Sequence, residues 1–172
     1  MKKTVHKWFW IWDFEKEEKW LNEMAQQGWV LSKVGFGRFE FDECKPGEYA
    51  LCLQMLENNP CNPESEKYIK FVEETGAEHI GSFLRWVYFR KKTEDGPFEL
   101  ISDRAGRIKH LSTIIHFMLP LGLLNLGIFS MNYSTIGAAS LVNGVLGAVI
   151  LWKAWELHAK REKIKAEREF FE

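Results

Sequence analysis

The residues able to do chemistry are few and poorly matched. Glu40, Asp42 and Glu43 cluster as a general acid–base pair would require. Glu40 and Asp42 nevertheless alternate with Phe39 and Phe41, which is the spacing of a solvated strand face. His6 and His79 could meet across a sheet, yet no cysteine or carboxylate stands at metal-ligand spacing from either. Cys44, Cys52 and Cys61 form an odd set without a zinc or redox motif, and are expected to pack as reduced thiols. Gly35-Phe36-Gly37 lacks the strand-to-helix setting of a phosphate loop and reads as a turn. There is no Gly-x-Ser-x-Gly elbow, no His-Glu-x-x-His helix and no EF-hand loop. These patterns predict a non-enzymatic protein with no catalytic residues, metal or cofactor.

The residue type in excess is tryptophan, eight in 172 residues. Trp8, Trp10 and Trp12 fall on one face of a strand expected over Val5 to Trp12, and Trp29 and Trp86 fall on later strands. Together they are the candidate ligand or partner surface, because an exposed aromatic face marks a docking site. The competing reading is that these rings complete a core.

The elements that would position them can be read in order. Asp13 is a fitting N-cap, and Glu15, Glu17 and Glu18 suit the first turn of a helix. Phe14, Leu21, Met24 and Ala25 make that helix's buried stripe, and Gly28 ends it. Strands are expected over Trp29 to Phe36, Arg38 to Cys44 and Tyr49 to Leu56, with a turn at Lys45-Pro46-Gly47-Glu48. Pro63 opens a second helix that buries Tyr68, Phe71 and Val72 and stops at Gly76. A strand pair at Ala77 to Ile80 and Phe83 to Arg90 follows, and Phe98 to Ile101 could add a short edge strand. The expected fold class is α+β, a ferredoxin-like two-layer sandwich of order β-α-β-β-β-α-β over residues 1–103.

The chain's net charge is −1, which excludes a basic nucleic-acid footprint. Its mean hydropathy of −0.26 averages over two unlike parts. From His110 to Trp152 there is no Asp, Glu, Lys or Arg, in a chain that is 27% charged. Leu111 to Met131 and Ile136 to Trp155 each approach the roughly 20 residues that cross about 30 Å of hydrocarbon. The expected organisation is a transmembrane hairpin over 104–155, reversing at Asn132-Tyr133-Ser134-Thr135, with a helical tail over 156–172. Arg104, Arg107 and Lys109 precede the hairpin, and Lys153, Lys160, Arg161, Lys163, Lys165 and Arg168 follow it. This predicts a multi-pass cell-membrane protein with both termini cytoplasmic and the lipid bilayer as its first partner. Ser140, Gly144 and Ala148 repeat every four residues and, with Asn125 and Asn143, are the candidate helix-packing residues, within the hairpin or in a homo-oligomer.

The runs Lys7-Trp8-Phe9-Trp10-Ile11-Trp12-Asp13-Phe14-Glu15, Gly28-Trp29, Gly35-Phe36-Gly37-Arg38-Phe39 and Cys44-Lys45-Pro46-Gly47-Glu48-Tyr49 are distinctive. So are Gly81-Ser82-Phe83, Trp86-Val87-Tyr88-Phe89-Arg90-Lys91 and Gly96-Pro97-Phe98-Glu99-Leu100. Through them the chain resembles the domain-of-unknown-function 2812 family of Gram-positive bacteria. That resemblance implies an integral membrane protein, often encoded beside a PadR-like regulator, and transfers no catalytic residues. The functional expectation is a membrane-anchored sensory, regulatory or protein-interaction module. The alternatives are an auxiliary subunit of a membrane transporter or oligomeric pore, and an enzyme acting on a lipid or amphiphile.

Overall fold

A computed structural model describes residues 1–167, apart from the Ile136 side chain, and the chain divides into two units, Met1–Ser102 and Asp103–Glu172. Residues 168–172 of the expected helical tail, Arg168 among them, lie outside the described residues.

The first unit runs β1 (Lys2–His6), α1 (Phe14–Gln26), β2 (Trp29–Gly35), β3 (Arg38–Glu43), β4 (Tyr49–Met55), α2 (Pro63–Glu74), β5 (Glu78–Phe83) and β6 (Trp86–Lys92). It is α+β, as expected, but its strands form two three-stranded sheets, ordered β1-β3-β2 and β4-β6-β5. All ladders are antiparallel. The reason is local: β2–β3 and β5–β6 are joined by two residues each, and such short connections admit only antiparallel hairpins.

The expected strand over Val5 to Trp12 ends early. His6 pairs with Arg38, the first residue of β3, and beyond Arg38 the partner strand has turned away at Phe36-Gly37. Lys7 N–H makes one last bond to Gly37 O at 3.1 Å. With no further partner, the chain leaves the sheet and enters a single 3-10 turn at Ile11–Asp13. Asp13 makes no side-chain cap and instead pairs with Lys16 at 2.6 Å.

Helix α1 buries Glu17, Leu21, Met24 and Ala25. It also closes the open edge of β4: the Asn22 amide donates to Leu51 O (2.8 Å) and accepts from Leu51 N–H (3.0 Å). Glu18 accepts from Leu53 N–H at 3.0 Å, so backbone groups that would otherwise template another strand are occupied. Helix α2, capped by Asn62 on Glu64 N–H, packs Ile69 and Val72 against Leu56, Ala77, Val87 and Phe89. Phe71, expected in that stripe, is 62% exposed, because the buried face follows Ser65, Ile69 and Val72. Phe98 and Leu100 form no strand but lean on the same core.

The second unit is a pair of helices, α3 (Arg104–Ile136) and α4 (Leu141–Ala166). Both are long and apolar enough to cross a membrane, and only 22% of each apolar window is buried. The expected reversal at residues 132–135 is helical. Asn132 satisfies its amide on Ile128 O, so polarity alone does not break the helix. The chain turns at Gly137, whose φ of 54° suits a residue without Cβ. The helices run antiparallel, with the Arg104 guanidinium bonded to Ile164 O at one end and Phe129 against Gly144 toward the other.

Candidate functional site: an exposed aromatic loop end

Three connections of the first unit meet at one end: the segment after β1, the β2–β3 turn and the β5–β6 turn. Trp8 lies edge-on to Phe36 at 4.8 Å and to Trp10 at 5.8 Å, and Trp10 stacks on Trp12 at 5.2 Å. Phe36 reaches Phe83 at 5.8 Å. These rings are not core. Trp8 is 49% exposed, Trp10 46%, Phe36 71% and Leu84, at the β5–β6 tip, 60%.

Leu84 has φ of 54°, at the first of two turn residues, where glycine is the usual occupant. A leucine there strains its backbone and gains no burial in return. Beside Phe36 a groove of about 200 Å³ is lined by Lys33, Val34, Gly35, Phe36, Arg38 and Glu40. Arg38 reaches Glu40 at 2.9 Å. The arrangement offers exposed apolar rings with basic groups at their side.

The five tryptophans expected on one surface therefore part company. Trp8, Trp10 and Trp12 gather here. Trp86 is 7% exposed and stacks on Phe14 at 5.8 Å, while Trp29 carries the Lys3 ammonium at 5.2 Å. His6 and His79 stand on separate sheets, and His79 bonds Ser82 Oγ at 3.0 Å.

The sequence reading missed a second polar feature. Glu17 is buried on α1 and accepts a 2.7 Å bond from the Tyr88 hydroxyl on β6. Burial raises the Glu17 carboxyl from an ordinary 4.5 to about 7, against the opposing effect of the Tyr88 bond. Burial also raises the Tyr88 phenol, and the neighbouring carboxylate adds to it. A signal was present, since Phe14, Glu17, Leu21 and Met24 share one helical stripe.

In the helix pair two residues of the expected packing strip lie on the contact and the third does not. Ser140 is fully buried, Gly144 is half-buried and Ala148 is exposed. The helices also press together at Gly147, where a Cβ would meet Gly122 O at 2.9 Å, and at Gly122, where one would meet the Leu151 side chain at 2.7 Å. Asn125 donates to Leu121 O in its own helix, and no hydrogen bond joins it to Asn143.

A two-sheet α+β unit with an exposed aromatic end, followed by a pair of long apolar helices, is the class of protein this fold and site define. The chain belongs to the protein family of unknown function DUF2812, which matches residues 13–123. That span includes Phe36 and Leu84 and begins just after Trp12. No curated protein and no solved structure matches the chain.

Proposed function

We propose that this protein is a membrane-tethered, non-enzymatic interaction module whose aromatic loop end is its docking face. In this reading α3 and α4 span the bilayer as a hairpin and both termini are cytoplasmic. The basic residues flanking the apolar run and the uncharged reversal support that orientation. The low burial of both helices supports lipid as their surroundings, since the core helices of a soluble protein are mostly buried.

The observation that carries the docking reading is the joint exposure of Trp8, Trp10, Phe36 and Leu84 at one end of one unit. Large apolar side chains gathered in the open are the mark of an interaction surface. Oxidative footprinting of the full-length protein tests this. Trp8, Trp10 and Phe36 should be protected from hydroxyl radicals in native membranes and become reactive in purified, detergent-solubilised protein. Equal oxidation in both settings removes the reading.

A further inference from the structure

We infer that the occupant of the aromatic loop end is the headgroup–acyl boundary of an anionic bilayer, into which Trp8, Trp10, Phe36 and Leu84 insert. This inference rests on the docking reading given above and names its partner.

Four observations converge on lipid. The exposed apolar groups sit on three separate connections, two of them hairpin tips, where polar turn residues are the norm. Two of them are indoles, whose apolar body and polar N–H suit the bilayer interface.

The charge around them is complementary to an anionic surface. Lys7 adjoins the aromatic segment after β1, and Lys33 and Arg38 line the groove beside Phe36 together with Glu40. Arg38 is paired with Glu40 in the same groove and Asp13 with Lys16, so Lys33 carries the groove's net positive charge. Lys33 and Lys7 give the end a small positive balance that favours an anionic headgroup, with the rings entering the layer beneath it.

Leu84 is the third argument. The two-residue β5–β6 hairpin holds this position at φ of 54°, where glycine would suit, and the leucine found there is 60% exposed, so burial does not account for its side chain. A bilayer supplies the missing apolar contact.

Finally, the same chain carries two bilayer-length helices, and only Asp103 to Lys109 separate the first unit from the uncharged run. Such a tether raises the effective concentration of the first unit at a membrane, so weak insertion suffices.

The test uses full-length protein carrying Phe36→p-benzoylphenylalanine, reconstituted in phosphatidylcholine vesicles with or without phosphatidylglycerol. After irradiation, mass spectrometry should find lipid adducts at position 36, more abundant with phosphatidylglycerol. Adding Lys33→Gln should lower their yield about fivefold, the effect of losing one basic group at an anionic surface. Leu84→Gly should lower the yield without lowering Tm, which separates docking from folding. Absent lipid adducts, or equal yields in both vesicles, overturn the inference. Irradiation of native membranes then distinguishes the two readings. A discrete protein adduct or a crosslinked homodimer at position 36 leaves the docking face standing with another occupant, and no adduct of any kind removes both.

Discussion

Glu17 illustrates how one buried group shapes the behaviour of the whole first unit. Its carboxyl has few neighbours able to stabilise a negative charge, so the folded chain holds the proton up to about pH 7. The unfolded chain releases it near 4.5. Between those values the folded state binds more protons than the unfolded one, so stability falls as pH rises through that window. The stabilisation is fully present below the unfolded value and gone above about 7. Its size is on the order of 3 kcal/mol. Urea titration of full-length protein in mild detergent, from acid to neutral pH, should reveal this slope. Glu17→Gln, which still accepts from Tyr88, should reduce it and leave the part due to Glu18, whose carboxyl burial also raises; an unchanged slope would show that Glu17 is not its source. At this same scale the sequence was only half legible. Glu17 sits on the apolar stripe of its helix and can be found there, but the phenol that meets it comes from a strand 71 positions away.

Among the elements, hairpins and helix stripes were readable because their causes are local. Gly37 permits the β2–β3 turn, Asn62 and Pro63 open α2, and Gly28 closes α1 with φ of 84°. What misled were patterns with two local solutions. The alternation Trp8, Trp10, Trp12 looks like a strand, but a strand needs a partner, and β3 has none left to offer after Arg38. The Ser140/Gly144/Ala148 spacing looks like a packing strip, but which side of α4 meets α3 depends on where the reversal falls. It falls at Gly137, later than the polar residues Asn132 to Thr135 suggest; Ser140 and Gly144 stay on the contact line, which continues through Gly147 and leaves Ala148 outside. Gly147→Leu should therefore drive a side chain into the Gly122 carbonyl and destabilise the helix pair by about 3 kcal/mol. Ala148→Leu, on the exposed side, should change it by less than about 0.5 kcal/mol. Unfolding in bicelles by added dodecyl sulfate measures both, and equal effects would refute the assigned contact line.

For the molecule as a whole, the proposed topology puts the first unit in the cytoplasm, and the chain carries its own reporter. Cys61 is exposed, Cys44 is half-buried and Cys52 is buried, with its thiol pushed up to about 12 by burial. A membrane-impermeant maleimide should label Cys61 in inverted vesicles or permeabilised cells and leave it untouched in intact cells. Labelling from outside intact cells would reverse the orientation and, with it, the leaflet at which the aromatic end docks.

The sequence by itself determined that the chain has two unlike parts, because an uncharged run between His110 and Trp152 needs no partner to be recognised. It also determined the helices, the turn glycines and the family, since each is carried by residues adjacent in the chain. Tertiary structure alone decided which tryptophans are exposed, which strand pairs with which, and that Glu17 meets Tyr88. Those outcomes depend on contacts between residues distant in sequence, where side-chain type fixes what a residue prefers and the surrounding fold fixes what it finds.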